Sequence, residues 1–162
     1  LMKYLARYLK SEIGELNRNN VRLEVIGQTY RLPEFVQQQI DRTRAALSKN
    51  NGLTLILALS YGGRTEIVEA MRNIARQVKE GGIEPAEINE QVVAQNLYTR
   101  SYPDPDLVIR TSGELRVSNF LLWQISYAEF VVTPTLWPDF RKPQFLAALE
   151  EYARRHRRFG GV

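Results

Sequence analysis

The sequence predicts an α/β fold, a mostly parallel central sheet with helices on both faces. Short β-branched runs alternate along the chain with stretches whose apolar residues recur every three or four positions. In addition, residues 53–60 are apolar at both odd and even positions, which is typical of a strand covered by helices on both sides. Because ligands of such folds gather beyond the carboxyl ends of the strands, functional residues are expected there.

Length and composition narrow the possible functions. A chain of 162 residues fits one domain, and we expect a single domain over residues 1–162. The 22 Lys and Arg against 18 Asp and Glu give a net charge of +4, small for a dedicated nucleic-acid binder. The absence of cysteine excludes disulfides and thiolate nucleophiles, and the single histidine, His156, excludes paired-histidine metal sites. No apolar run approaches the ~20 residues of a transmembrane helix.

The individual elements follow from the same two periodicities. Helices are predicted over residues 1–16, from Pro33 to the turn at 50–52, from the turn at 61–65 to Val78, and over residues 85–98, 118–127 and 143–157. Strands are predicted over residues 21–26, 53–60, 107–110 and 130–133. No capping residue precedes Leu1, so we expect the start of the first helix to lie upstream of this sequence.

The strand over residues 107–110 and the loop after it form the most informative stretch. The strand ends at Arg110, a glycine-containing loop supplies Arg116, and Ser118 stands where the N-cap of the next helix belongs. Arginine forks match phosphate oxygens, and a helix N-terminus also favours negative charge. The pattern therefore predicts a diphosphate site. Ion pairs with Glu114 or Asp106 on a solvated loop explain the arginines equally well.

Two further charged features each allow two interpretations. Glu129 lies at the start of the last strand, where a lone carboxylate beside a diphosphate can be half of a Mg²⁺ site. A salt bridge to a nearby arginine is the simpler interpretation. The basic run 154–158 can contact nucleic acid or lipid phosphates, although cations are also favoured at any helix carboxyl end.

The runs 106–114, 116–124 and 127–129, taken together, resemble the cis-prenyltransferases, and within them the undecaprenyl diphosphate synthase or isoprenyl transferase family. Residues 61–64, 136–140 and 157–161 also match that family. The matches occur in order along the whole chain. Several long motifs in register make the resemblance specific.

This resemblance implies an undecaprenyl diphosphate synthase-like fold and a defined activity. The reaction is condensation of isopentenyl diphosphate onto an allylic diphosphate such as farnesyl diphosphate, with Mg²⁺, in a cytoplasmic homodimer that associates peripherally with membranes through its lipid product. By motif match, Arg110, Arg116 and Ser118 hold the diphosphate of isopentenyl diphosphate, and Glu129 ligates Mg²⁺. Arg158 and Gly160, in the Arg-x-Gly motif, reach the active site of the partner subunit.

The sequence also departs from the family pattern. The upstream segment with the catalytic Asp of an Asp-Gly-Asn motif does not occur here. We therefore expect these residues to be the C-terminal portion of the catalytic domain, with no catalytic residue of their own and little or no turnover. Three alternatives remain: a non-catalytic cis-prenyltransferase subunit, a basic nucleic-acid-binding module, and a short-chain or head-to-middle prenyl diphosphate synthase. We favour elongation and expect no nucleic-acid partner.

Overall fold

A computed structural model describes residues 1–155 of the chain and confirms the predicted α/β class. The helices are α1 (Met2–Ser11), α2 (Ile13–Arg18), α3 (Glu34–Leu47), α4 (Gly63–Lys79), α5 (Glu90–Asn96) and α6 (Lys142–Ala153). The strands are β1 (Arg22–Ile26), β2 (Thr54–Ala58), β3 (Leu107–Arg110) and β4 (Glu129–Val132). Within residues 1–155, none of the helices has the length and apolar character that crossing a membrane requires.

The strands form two parallel pairs. β1 pairs with β2 from Arg22↔Thr54 onward, and β3 pairs with β4 from Leu107↔Glu129 onward. The chain divides into two compact units, Leu1–Glu66 and Ile67–Val162, and each contains one pair.

The first unit is built around an apolar core. Its buried members come from α1, β1 and α3, namely Leu9, Leu23, Val36, Ile40 and Leu47. The buried Thr43 hydroxyl donates a hydrogen bond to the Leu9 carbonyl at 3.3 Å and so joins α3 to α1. The sequence predicts that β2 is covered on both faces. In the described residues this cover is incomplete, because Leu55 remains 37% exposed.

The predicted continuous helix over residues 1–16 is wrong, since α1 ends at Ser11 and α2 begins at Ile13. The Ser11 hydroxyl donates a hydrogen bond to the Tyr8 carbonyl at 3.1 Å. The Tyr8 carbonyl also accepts from the Glu12 N–H at 3.0 Å, so the serine bonds the same turn at which α1 ends.

The carboxyl ends of β1 and β2 are joined by contacts within the unit. Gly27, with φ 105°, leaves no room for a side chain beside the Leu59 carbonyl. The Gln28 N–H donates to the Ser60 carbonyl at 3.2 Å. Inside the turn after β2, the Tyr61 hydroxyl donates to the buried carboxylate of Glu66 at 2.5 Å. This turn is therefore fixed by its own polar groups.

Two predicted helices of the second unit are wrong. The helix over residues 85–98 is interrupted: a 3₁₀ turn, Pro85–Glu87, precedes α5, and extended Asn89 caps α5 by accepting from the Val92 N–H at 3.0 Å. The helix over residues 118–127 does not form. Ser118, Asn119 and Leu121 have positive φ angles of 51°, 62° and 45°, which a right-handed helix excludes. Consecutive turns replace it.

Candidate functional site

The pairing register of β3 and β4 sets the geometry of the site. Val108 pairs with Phe130, and Arg110 pairs with Val132. Side chains alternate between the faces of a sheet, and register partners on neighbouring strands share a face. These four side chains therefore lie on one face of the pair, with Arg110 at its carboxyl end.

Two cavities open on this face. The larger has a volume of about 290 Å³ and is lined by Val108, Ile109, Arg110, Arg116, Val117, Phe120, Ile125 and Phe130. The smaller, of about 120 Å³, is lined by Arg110, Glu114, Leu115, Arg116, Val117, Phe130 and Val132. Both cavities thus combine two arginine side chains with apolar walls. This pairing of chemistries suits an anion that carries a hydrocarbon.

The two arginines differ in their partners. Arg116 forms an ion pair with Glu114, and their side chains are 64% and 35% exposed. Arg110 has no ion pair with any residue between 1 and 155. The ion-pair interpretation of the sequence therefore holds for Arg116 and not for Arg110. An exposed ion pair contributes little energy, so an anionic ligand can displace Glu114 from Arg116 at small cost.

The loop between the arginines has an unusual backbone. Ser112 and Gly113 have positive φ angles of 66° and 64°. Their N–H groups donate to the carbonyls of Thr135 and Thr133, both at 2.9 Å, which ties the loop to the segment after β4. Left-handed residues other than glycine cost about 1–3 kcal/mol each and often mark functional segments. Here they cluster beside the two cavities.

Ser118 does not have the predicted position. Because no helix follows it, Ser118 is not an N-cap, and the helix N-terminus that was expected to favour an anion is absent from the described structure. That part of the predicted diphosphate site is wrong. Ser118 is exposed and lines neither of the two cavities. Its motif-based role stays a prediction.

Glu129 lies apart from the arginines within the β3–β4 pair. It pairs with Leu107, three residues before Arg110 on β3, and three residues of a strand span about 10 Å. The odd spacing also places its side chain on the opposite face of the pair. The structure therefore brings Arg110 and Arg116 together but does not bring Glu129 to them within this chain.

The partner of Glu129 is Arg155, just after α6. Arg155 donates to the Glu129 carboxylate at 3.0 Å, to the Phe130 carbonyl at 2.8 Å and to the Glu151 carboxylate. The hydrogen bonds that Arg155 donates, first to Glu129 and then to Glu151, raise the pKa of its guanidinium above the ordinary value. The neighbouring Arg154 pairs loosely with Glu150 at 3.9 Å and is 80% exposed. The salt-bridge interpretation of Glu129 therefore describes its observed contacts.

The donors present do not make a magnesium site by themselves. Between residues 1 and 155, no three His, Asp or Glu side chains converge. The one predicted ligand, Glu129, is neutralised by Arg155. Arg158 and Gly160 lie outside the described residues.

Phe130 and Val117 are the site residues that the sequence analysis missed, since both line the two cavities. The sequence pattern identifies Phe130 only as part of a strand. Its place beside Arg110 depends on the register between two strands distant in sequence, which a single sequence does not encode locally.

Comparisons with known proteins agree on one family. The prenyltransferase family model described as "Putative undecaprenyl diphosphate synthase" matches residues 1–160. An isoprenyl transferase of Streptococcus agalactiae is 47% identical over 100% of this chain and 66% of its own length. One of Bacillus subtilis is 46% identical over 100% of this chain and 62% of its own length. The chain thus spans less than two thirds of the length of these relatives.

Solved structures show the same fold. A lavandulyl diphosphate synthase from Lavandula x intermedia, in complex with dimethylallyl diphosphate, matches 99% of this chain and 70% of its own, with a TM-score of 0.95 and 41% identity. A probable undecaprenyl diphosphate synthase from Campylobacter jejuni matches 98% and 72%, with a TM-score of 0.84 and 37% identity. From motifs, fold and similarity together, the chain belongs to the undecaprenyl diphosphate synthase family of prenyltransferases.

Proposed function

We propose that this chain binds isopentenyl diphosphate for cis-prenyl chain elongation. In that reaction the C–O bond of an allylic diphosphate such as farnesyl diphosphate breaks and diphosphate leaves. The alkene of isopentenyl diphosphate forms the new C–C bond and loses a proton, which yields a longer polyprenyl diphosphate. The carrying observation is that Arg110 and Arg116 share cavities with apolar walls.

The chemistry of the described residues supports binding and orientation. Two guanidinium groups offer donors that match diphosphate oxygens. Holding the nucleophilic alkene in a fixed place relative to the leaving group lowers the entropic part of the barrier. In this proposal residues 1–162 are the C-terminal portion of a catalytic domain, and the catalytic Asp implied by the resemblance lies in another segment.

Several features of the proposal depend on the resemblance alone. These are the homodimer, the contribution of Arg158 and Gly160 to a partner's site, the cytoplasmic location and the peripheral membrane association. Mg²⁺ also belongs here: Glu129 is ion-paired in this structure, so no step above is assigned to the metal. The nucleic-acid alternative loses support, because Arg154 and Arg155 both pair with carboxylates.

The test is calorimetric titration of the 162-residue chain with isopentenyl diphosphate. We expect a dissociation constant in the micromolar range, about −8 kcal/mol. Arg110→Ala and Arg116→Ala should each weaken binding at least about tenfold, because hydrogen bonds between charged groups contribute about 1.5–3 kcal/mol. Arg72→Ala is the control, since Arg72 is an exposed arginine of α4. Equal affinity in all four proteins would refute the proposed site.

A second candidate is condensation of two small diphosphates, as the name of the lavandulyl diphosphate synthase suggests. The observation that favours it is that this solved relative, 41% identical to the chain, is in complex with dimethylallyl diphosphate. Titration with dimethylallyl diphosphate separates the two candidates. Elongation predicts that Arg110 and Arg116 select isopentenyl diphosphate, whereas tighter binding of dimethylallyl diphosphate at the same arginines would favour the second candidate.

A further inference from the structure

The apolar wall of the two cavities includes one aromatic residue, Phe130. Phe130 lines both cavities and is half-buried. It is the register partner of Val108 and shares a face with Arg110, so the two side chains border the same cavities. A ring in this position offers a ligand apolar surface immediately beside the anion-binding groups.

The main chain at Phe130 is held by an unusual contact. Arg155 donates to the Phe130 carbonyl at 2.8 Å, while the same guanidinium binds Glu129 at 3.0 Å and also Glu151. Three acceptors therefore restrain one side chain, which is 33% exposed. Because a guanidinium is planar with donors in a fixed fork, these contacts define its position, and with it the start of β4.

We propose that Phe130 determines specificity for the hydrocarbon of a diphosphate ligand, and that Arg155 is a positioning residue that holds it in place. This inference rests on the proposed function, because it assumes that Arg110 and Arg116 bind the diphosphate group. The guanidinium groups recognise any diphosphate; Phe130 recognises the carbon chain attached to it. Removing the ring therefore affects the tail and not the anion.

Two probes separate these contributions. Isopentenyl diphosphate carries both the anion and a five-carbon tail, whereas inorganic pyrophosphate carries the anion alone. Both affinities are measured by calorimetric titration of the full 162-residue chain. Phe130→Ala should weaken the binding of isopentenyl diphosphate about tenfold, because apolar contact is lost, and should change the affinity for pyrophosphate by less than about twofold. Phe130→Leu should retain most of the affinity. Retained pyrophosphate binding also shows that each variant is folded.

The role of Arg155 has a matched control in its neighbour. Arg155→Ala should weaken the binding of isopentenyl diphosphate about threefold, because the Phe130 ring is no longer held in position. The affinity for pyrophosphate should stay unchanged. Arg155→Lys keeps the charge but not the fork, and should recover part of the loss. Arg154→Ala removes an exposed arginine with one loose partner, and should change neither ligand.

The outcomes distinguish a failure of this inference from a failure of the proposed function. If Arg110→Ala and Arg116→Ala fail to weaken pyrophosphate, the proposed diphosphate site is wrong. If they do weaken it, but Phe130→Ala lowers both affinities equally or neither, the specificity role is wrong. If Arg155→Ala behaves like Arg154→Ala, then Phe130 keeps its place without Arg155 and the positioning role is wrong.

Discussion

The two strand pairs end differently at their carboxyl sides. After β1 and β2, polar groups bind one another: Tyr61 donates to Glu66, and the backbone of Gln28 donates to that of Ser60. After β3, Arg110 has no ion-pair partner among residues 1–155 and borders two cavities. The named polar groups of the first end, which we call the closed end, bind one another, while Arg110 at the second end offers charge to a ligand. The same topological position can thus serve stability or binding.

The difference matters for locating function, because the carboxyl ends of parallel strands are equally good candidates on topology alone. The two ends differ in whether their polar groups are already bound to other groups of the protein. A buried carboxylate bonded to a neighbouring hydroxyl is already paired, so it offers a ligand little. Two guanidinium groups around a cavity retain donors that a phosphate can use.

The largest effect we predict tests the closed end. Gly27→Ala places a methyl group against the Leu59 carbonyl in a backbone with φ 105°, and should lower the free energy of unfolding by about 3 kcal/mol or more. Gly81→Ala is the control, because Gly81 also has a positive φ of 72° but open space around it. That variant should lose only about 1 kcal/mol. Urea unfolding measures both, and equal losses would contradict the proposed close approach.

A smaller effect tests the hydrogen bond inside the same end. Tyr61→Phe removes the donor to Glu66, a carboxylate only 1% exposed, and should lower the free energy of unfolding by about 2 kcal/mol. Tyr4→Phe is the control, because it removes the hydroxyl of a tyrosine that is 65% exposed. This variant should change the free energy of unfolding by less than about 0.5 kcal/mol. If the two variants unfold at the same urea concentration, then Glu66 does not depend on Tyr61.

The sequence predicted the fold more completely than the site, and particular residues show why. Periodicity identified the four strands found in residues 1–155 and the α/β class, since those signals are local. The helix predicted after Arg116 is wrong. The pattern of Ser118 followed by apolar residues is typical of a helix start, but no helix forms there. The observed left-handed residues there are set by surroundings that local preference does not describe.

The charged residues show a second limit. The sequence correctly placed Arg110 at a strand end, and it correctly included pairing with Glu114 among the alternatives for Arg116. It could not show that Glu129 and Arg110 point to opposite faces, because that follows from pairing between strands about twenty residues apart. The partner of Glu129, Arg155, is more distant still along the chain.

The smallest effect we predict compares the two ends directly, through one exposed serine at each. Ser118 and Ser60 are both left-handed, with φ angles of 51° and 48°. Replacing either with glycine relieves steric strain but makes the unfolded chain more flexible, so each variant should gain only about 0.5 kcal/mol of stability. Urea unfolding measures that gain.

Ligand affinity should then separate the two variants. The motif match assigns the Ser118 hydroxyl to the diphosphate. Ser118→Gly should therefore weaken the binding of isopentenyl diphosphate about fivefold, as expected for one lost hydrogen bond. Ser60→Gly, at the closed end, should leave the affinity unchanged. If both variants bind as the original chain does, Ser118 contributes only to the shape of its loop. The strain after β3 would then be a feature of folding, not of binding.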